Sequence, residues 1–373
     1  MDHGALGQWL LQEAGNTVSL PLDGIILNDS LSGDALAKIT QMPQLAAEAV
    51  FAFIDHDTPN STVEVGGRQR QLIDFAVRRG LRLEVCQGAG YLRLLESYCR
   101  DGQIFVGTGR HMACLGTAGV LGLAVSEEAL LTALAAGKLN VTIPEAVTVQ
   151  VTGQLPRDAA WQDAGMALFA VLRRHPGKMV FLTGLEEVPA EGRFALFHAV
   201  GQSGVWSALP AGGSRDGETF DLSQVQRQVL LPEQDTGTAL MQLRKIPVQE
   251  IFIGGCRGGR IEDLRQAAAV LKGKHIAYRL RMVVAPISSA TYVQALQEGL
   301  IDIFLDSGAV VMNQGCSVCW GRAQGILDKG EVLVSTGAYN YSGCCGNREA
   351  RVYLVSPVTA ARAAVTGLLG AEG

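Results

Sequence analysis

Residues 249–268, QEIFIGGCRGGRIEDLRQAA, and residues 310–321, VVMNQGCSVCWG, decide the fold of this 373-residue chain. The first stretch contains Cys256, and the second contains Cys316 and Cys319. A structural zinc site takes four ligands, and a fully ligated iron–sulfur cluster takes four cysteines. Three thiolates leave one metal position open, which is typical of a catalytic site. The alternative is three buried, unreactive thiols, because free cysteine is often fully buried.

Strands and helices alternate around these cysteines. Residues 251–255, IFIGG, form a predicted strand, and residues 260–273 form a predicted helix with an apolar stripe. Residues 301–306, IDIFLD, are predicted to form another strand. Ligands of an open α/β sheet bind outside the carboxyl ends of its strands, and Cys256 follows such an end. It also precedes a helix, whose dipole favours a thiolate.

The first third of the chain shows the same alternation of predicted strands and helices. Residues 50–55, VFAFID, read as a buried strand that ends in polar residues, and residues 67–80 read as an amphipathic helix. Repeated strand–helix units predict a largely parallel sheet covered by helices, and therefore an α/β fold. At roughly 100–200 residues per domain, the length predicts two or three domains. We place them at residues 1–152, 153–247 and 248–373.

Composition narrows the class of protein. Hydrophobic residues make up 48% of the chain, and the net charge of −5 gives no electrostatic case for binding nucleic acid or an anionic membrane. The start, MDHGALGQWLLQEAG, lacks the basic and apolar regions of a secretory signal. Eight cysteines without such a signal indicate reduced thiols. We therefore expect a cytoplasmic protein with no membrane span.

Several blocks of the chain together resemble the aconitase superfamily, and the 3-isopropylmalate dehydratase large subunit in particular. These blocks are IDHDTPNS, IFVGTGRHMACLG, GGCRGGRIEDLRQAA, NQGCSVCWG and GEVLVSTGAYNYSG, and they occur in the order of the family. The resemblance implies a three-domain aconitase-like fold without a swivel domain. It also implies a 4Fe–4S cluster on Cys256, Cys316 and Cys319 with one open iron.

The same resemblance implies a function. Such a chain is the large subunit of a hydro-lyase or isomerase that acts on a small hydroxy-carboxylic acid. In the family a serine base lies on a separate swivelling domain, so a small-subunit partner is implied. The alternatives are thiol or sulfur chemistry with Cys344 and Cys345, or a non-catalytic iron or redox sensor. A zinc site with Cys344 or Cys345 as the fourth ligand also stays open.

Four residues are catalytic candidates. Asp55 and His56 resemble the Asp–His pair of the family, and an aspartate can fix the tautomer of a histidine and raise its basicity. Glu96 stands near an acidic residue of the family, although it could equally lie on the polar face of a helix. His111 is retained from an Asp-Ser-His run of the family.

The predicted substrate contacts differ from those of the family. Gly109 and Arg110 replace the Asp and Ser before His111, and Arg257 follows a cluster cysteine. Arg110 and Arg257 could each clamp a substrate carboxylate, because arginine binds carboxylates through two parallel hydrogen bonds. Tyr339 and Cys344 align with arginines that grip substrate carboxylates in the family. Tyr339 and the adjacent Asn340 are therefore further candidates for binding substrate.

Overall fold

The computed structural model describes residue 9 and residues 12–47, 49–212, 217–322 and 324–371. Its larger sheets have five, four and seven strands, and helices pack against them. This is the α/β architecture that the strand–helix alternation predicted. None of the helices in the described ranges is long and apolar enough to cross a lipid bilayer.

The first sheet is five-stranded and parallel. Across the sheet its strands are Arg82–Val85, Val50–Ile54, Gly24–Asn28, Ile104–Gly107 and Leu121–Ala124. The surrounding helices are Gly33–Gln41, Val63–Arg79, Gly90–Ser97 and Glu127–Ala136, with a 3-10 helix at Arg110–Ala118. An antiparallel pair, Thr17–Pro21 with Lys138–Thr142, lies beside it. The buried strand and the amphipathic helix predicted here are both present.

The middle sheet is also parallel. Its strands are Ser207–Pro210, Met179–Thr183, Ala146–Thr152 and Glu218–Asp221. Helices Trp161–Leu172 and Ala190–Ser203 pack together, and a 3-10 turn follows at Leu222–Gln224. The helix Ala190–Ser203 carries the buried His198 and passes beside the 3-10 helix Arg110–Ala118. A helix of the middle unit therefore packs against the 3-10 helix that follows a strand of the first sheet.

The third sheet has seven strands and carries both cysteine stretches. Its strands are Gly237–Ala239, Gln228–Leu230, Arg351–Leu354, Val332–Ser335, Glu250–Gly254, Arg281–Ala285 and Val310–Val311. The last five run parallel, and the first two pair antiparallel. Its helices are Gly255–Gly258, Ile261–Leu271, Ser289–Gln297, Leu300–Asp306 and Pro357–Thr366, with 3-10 turns at Leu240–Gln242 and Ser317–Trp320. A short pair, Ile246–Pro247 with Leu368–Leu369, closes the unit.

The strand predicted at residues 301–306 is wrong, because this segment belongs to the helix Leu300–Asp306. Leu300, Ile301 and Phe304 are buried there, and residues four apart lie on one face of a helix. The left-handed Gly299 opens the helix. An apolar run of this length does not by itself distinguish a strand from a buried helix.

Sheet membership divides the chain at other points than the predicted domain boundaries. The strand Ala146–Thr152 pairs within the middle sheet, although it precedes the predicted boundary at 152/153. The strand Gln228–Leu230 joins the third sheet, although it precedes the boundary at 247/248. The division into three domains at those positions stays a prediction.

Hydrogen bonds tie the loops of the first sheet to those of the third sheet. Four such bonds run from Ser289 N to Gln87 O, from Asn313 Nδ2 to Thr58 O, from Gln314 Nε2 to Cys86 O and from Trp320 Nε1 to Asp57 Oδ1. All of these residues follow the carboxyl ends of strands. The two sheets therefore build one shared rim.

Candidate active site

A pocket opens inside this rim, where strand ends of the first and third sheets face each other. That is where ligands bind in open α/β sheets. The lining residues come from seven strand ends and from the loops and helices that follow them: Ile26, Asn28, Asp55, His56, Ala89, Tyr91, Gly107, Thr108, Gly109, His111, Met112, Cys256, Cys316, Cys319, Trp320 and Tyr339.

The three cysteines predicted as metal ligands all line this pocket. Cys256 sits in the short helix Gly255–Gly258, directly after its strand. Gly255 has a φ of 68°, a conformation that glycine adopts without strain, and it turns the chain into that helix. Cys316 and Cys319 flank a tight turn in which Ser317 has a φ of 47°. The structure thus brings together thiols that lie sixty residues apart in the chain.

The thiols differ in acidity. Burial raises the pKa of Cys316 well above its ordinary value and raises that of Cys319 to about 12. Burial also acts to raise the pKa of Cys256, but its interactions with His198, a hydrogen bond from Tyr91 and the positive charge of Arg257 outweigh burial and lower the pKa. Cys256 is therefore the thiol of this set that most readily becomes a thiolate.

Two histidines contact Cys256. The Nε2 atoms of His198 and His111 lie 3.4 Å and 3.6 Å from its Sγ, and the two rings are 5.1 Å apart. Burial lowers the pKa of His111 to about 4, with help from the positive charges of His56 and Arg110, and burial also lowers the pKa of His198. Both imidazoles are therefore neutral at pH 7, and each can donate one N–H to sulfur.

His56 lines the same pocket and is held by two aspartates. Its Nδ1 lies 2.6 Å from Asp55 Oδ1 and 3.4 Å from Asp29 Oδ1, and Asp55 Oδ2 accepts from Gly90 N at 2.7 Å. Burial acts to lower the pKa of His56, but the charges and hydrogen bonds of both aspartates raise it well above 6.5. Burial also raises the pKa of Asp55, while contacts with His56 outweigh burial at Asp29 and lower its pKa. His56 is thus an imidazolium at neutral pH, with Nε2 left for the pocket.

Aromatic rings form much of the remaining wall. Tyr91 stacks on His111 at 5.3 Å between ring centroids, Tyr339 lies 5.8 Å from His111, and Trp320 lies 4.7 Å from His56. Burial raises the pKa of Tyr91 and Tyr339, so both phenols are neutral. These side chains offer flat apolar surfaces and hydroxyl groups but no positive charge.

Glu96 does not line the pocket. Its Oε2 pairs with Arg93, and its Oε1 accepts from Ser288 Oγ at 2.9 Å. Arg93 is bound at the same time by Glu84. Glu96 therefore holds two loops of the rim together, and the geometry does not bring it to the catalytic position that the sequence suggested.

Neither Arg110 nor Arg257, which the sequence offered as clamps for a substrate carboxylate, belongs to the lining of the pocket. Arg257 is buried, its Nη2 donates to Val355 O at 2.8 Å, and its side chain does not line the pocket. Burial lowers its pKa to about 10. Arg110, which precedes His111 in the chain, is exposed and does not line the cavity. The short helix after Cys256 turns residue 257 into the protein interior.

We expect Arg257→Met to destabilise the protein by about 1–3 kcal/mol, because the buried carbonyl of Val355 loses its donor. The nearby buried Asp163 and Asp263 also lose a compensating charge. Urea unfolding of the holoprotein measures this change. Arg110→Met is the matched control and should change stability by less than about 0.5 kcal/mol, because its side chain is exposed. An Arg257→Met variant of unchanged stability and weakened substrate binding would contradict this interpretation.

The remaining candidates lie beside the pocket or below it. Asn340 lies outside the cavity, and its Nδ2 donates to Leu231 O at 2.7 Å and to Gln234 O at 3.0 Å. Cys344 and Cys345 are both buried with their sulfurs 3.7 Å apart, and neither lines the cavity. Tyr339 is thus the only one of the four predicted substrate contacts that the described structure places in the wall.

Comparison with known proteins identifies the family. Residues 216–367 match the model of the aconitase family (aconitate hydratase). The 3-isopropylmalate dehydratase large subunit 2 of Archaeoglobus fulgidus is 30% identical, with 95% of this chain and 94% of that protein covered. The chain belongs to the aconitase family. The homoaconitase large subunit of Thermus thermophilus is 29% identical over 95% of this chain and 92% of its own. The fold of this family member resembles that of Thermococcus kodakaraensis aconitase X, with a TM-score of 0.55, 11% identity and coverage of 89% and 86%.

Membership of the aconitase family implies a 4Fe–4S cluster, and the donors of the pocket fit one. Thiolates are the ligands that select iron–sulfur clusters. Of the eight cysteines, three line the pocket, and the neighbouring Cys344 and Cys345 do not. Three thiolates in one pocket would leave one metal position facing a substrate. The assignment of Cys256, Cys316 and Cys319 as ligands stays a prediction.

Sequence reasoning missed Asp29, Tyr91 and Trp320, which all help to build this aconitase-family site. Asp29 directly follows the strand Gly24–Asn28, as Asp55 follows Val50–Ile54. The strand-end rule that selected Asp55 could therefore have selected Asp29. No comparable signal marks Tyr91 or Trp320, because aromatic residues beside a turn are equally common in cores.

Proposed function

We propose that this chain is the large subunit of a 4Fe–4S-dependent hydro-lyase that acts on a small hydroxy-carboxylic acid. It is an enzyme of the aconitase family, and the relatives named above include a dehydratase subunit. One observation carries the proposal: the Asp29–Asp55–His56 group opens on the same pocket as the three cysteines. An imidazolium in the same pocket as three thiols is an arrangement for moving a proton next to a metal centre.

Different residues of the chain would have different roles in such a reaction. When bound, the cluster supplies a Lewis acid at its open iron. His56 holds a proton at Nε2 and delivers it to the departing hydroxyl, and Asp55 keeps the ring oriented through Nδ1. Asn28 and Thr108 line the same cavity and offer hydrogen bonds to a carboxylate. The aromatic wall excludes water from the space between them.

The base that removes the carbon-bound proton is proposed to come from a partner. Among the described residues of the lining, Asp55 is the one carboxylate, and both of its oxygens are already engaged. We therefore propose a small subunit with a swivel domain that covers the mouth, as the family resemblance implies.

Reconstitution tests this function. The chain is purified anaerobically with and without a small subunit from the same genome, and hydration and dehydration of hydroxy acids are followed by the ultraviolet absorbance of the unsaturated acid. We expect turnover only with the small subunit and an intact cluster. A complete complex with a full cluster that turns over no hydroxy acid would contradict the proposal.

The alternative of thiol chemistry at Cys344 and Cys345 gains no support from the geometry. Only 4% of Cys344 and 2% of Cys345 is exposed, and the Sγ of Cys344 is directed to Tyr339 O at 3.5 Å. A sulfur carrier needs a thiol that a substrate can reach. A sensor that retained the cluster without catalysis would not need the buried Asp29–Asp55–His56 group.

We expect Asp29→Asn to shift the pH dependence of the reaction. The Asp29 carboxylate helps to raise the pKa of His56, so its loss lowers that pKa. The acid form of His56 is present below its pKa, and activity is lost as pH rises through it. The alkaline limb of kcat/KM should therefore move to lower pH. Asp34→Asn, on an exposed helix turn, should leave the profile unchanged. Unmoved alkaline limbs in both variants would argue against His56 as the acid.

A further inference from the structure

A second cavity lies beside the third sheet, and it shares no lining residue with the pocket of the cysteines. It is an open groove of about 460 Å³, a volume that is usual for small-molecule sites. Its walls are the helices Ile261–Leu271 and Pro357–Thr366, the loop around Lys245 and residues 368–371. The chain therefore has room for a ligand besides the substrate.

One end of the groove lies at the edge of the sheet that is opposite to the cysteine pocket. The helix Pro357–Thr366 reaches this edge, where Gly367 O accepts a hydrogen bond from Val248 N just before the strand Glu250–Gly254 begins. Cys256 follows the other end of the same strand. At about 3.3 Å per residue, the strand separates the two places by roughly 15 Å. A ligand at this end of the groove would leave the substrate its own pocket.

Three positively charged side chains line the groove, and among the described residues no carboxylate does. They are Lys245, Lys274 and Arg362, which come from three separate segments of the chain. In the described part of the chain, the lysines that form ion pairs are Lys178 and Lys329, so neither lysine of the groove is neutralised in this way. On a chain whose net charge is −5, such a cavity is matched to an anion.

The number of cations favours a phosphate over a carboxylate. A phosphate monoester carries a charge of roughly −1.5 to −2 at pH 7 and has three strong acceptor oxygens, so it can engage several cations at once. Arginine can bind phosphate through two parallel hydrogen bonds, and lysine binds it as a point charge. A single carboxylate would leave part of the positive charge of the groove uncompensated.

Apolar side chains line the same groove. Leu240, Ala363 and Leu369 belong to the hydrophobic core beside the third sheet, and Val270 packs against that core. Apolar surface that a ligand removes from water contributes to binding in proportion to its area. A ligand that uses the whole groove therefore has an apolar group next to its phosphate.

We propose that this groove binds a small organic phosphate with an apolar group, at a site separate from the active site. Lys245, Lys274 and Arg362 bind the phosphate, and the apolar group packs against Leu240 and Val270. The proposal goes beyond the hydro-lyase function and does not depend on it. Turnover of hydroxy acids and binding in the groove can each fail without the other.

Isothermal titration calorimetry on the anaerobically purified holoprotein tests this site, with hexyl phosphate, inorganic phosphate and hexanol as the probes. We expect hexyl phosphate to bind at least tenfold more tightly than either of the other two, because it alone has both the charge and the apolar group. The double variant Lys245→Gln/Lys274→Gln should weaken the binding of hexyl phosphate at least tenfold. Lys38→Gln is the matched control, since Lys38 is equally exposed but lies on the helix Gly33–Gln41, outside the groove, and its affinity should be unchanged.

Each result decides for or against the site. Both groove lysines are exposed, so the double variant should fold normally, and circular dichroism checks this. Unchanged affinity in the double variant would show that hexyl phosphate binds elsewhere and would overturn the inference. Equal binding of inorganic phosphate overturns the ligand class, and no binding of hexyl phosphate at millimolar concentration overturns the site.

A phosphate with an apolar group could also be the head of a membrane lipid, and sedimentation separates the two sources. Vesicles of phosphatidylcholine with phosphatidic acid are centrifuged with the holoprotein. We expect the protein to stay in the supernatant, because its net charge of −5 disfavours an anionic membrane. Sedimentation with these vesicles that the double lysine variant abolishes would overturn the assignment to a small soluble ligand.

Discussion

Cys316→Ser is expected to abolish the iron–sulfur chromophore of the anaerobically purified protein. Cys316 is one of only three thiols that line the pocket, and a serine hydroxyl is a poor ligand for iron in such a cluster. Iron and sulfide analysis, visible absorbance and electron paramagnetic resonance measure the loss. Activity of the complete complex should disappear with the chromophore, because no Lewis acid remains.

A matched cysteine variant separates ligation from general thiol loss. Cys99 lies half-buried in the first unit and outside the pocket, so Cys99→Ala should retain the full iron content. Retention of a normal cluster in Cys316→Ser would remove this residue from the ligand set. Zinc in place of iron in the anaerobically purified protein would refute the cluster itself.

His56→Asn is expected to lower kcat/KM by a factor of about 10²–10⁴, the usual contribution of a positioned general acid. Asparagine keeps a polar group of similar size beside Asp55, but it cannot deliver a proton. The rate of the complete complex, measured with a saturating small subunit, gives this factor. The cluster content should be unchanged, since His56 is not one of the predicted cluster ligands.

A matched variant outside the cavity is His175→Asn. His175 pairs with Glu218 at 2.8 Å beside the middle sheet, and it does not line the pocket. We expect it to retain near-normal turnover. A His56→Asn enzyme with a rate within threefold of the unaltered protein would show that another group supplies the proton.

The sequence was informative about the fold and the cysteines because both leave local patterns. Strand–helix periodicity, glycine-flanked cysteines and polar residues after apolar runs can all be recognised in the sequence without the structure. The same rule placed Asp55 and His56 correctly at a strand end. The helix Leu300–Asp306 was mistaken for a strand because a short apolar run satisfies both periods.

The orientation of long side chains was not readable in the same way. Arg257 follows Cys256 directly, yet one step along a helix rotates it by about 100° into the interior. Glu96 forms an ion pair with Arg93 and accepts a hydrogen bond from Ser288, a residue that only tertiary packing brings near it. The contacts of His198 with Cys256 likewise join residues from two different sheets. Such pairings depend on the folded arrangement and leave no spacing signal.

The hydrogen bonds across the shared rim, among them those of Ser289, Asn313, Gln314 and Trp320, limit how the enzyme can admit its substrate. If each stabilises the contact by about 1 kcal/mol, swinging the two sheets apart costs about 4 kcal/mol. At 1.4 kcal/mol per factor of ten, only about one molecule in a thousand would be open at any moment. An open state that is populated so rarely is a slow route for substrate. Substrate would therefore enter through the opening of the pocket with the two sheets in place, and the small subunit proposed above, by covering that opening, would control how fast substrate enters and product escapes.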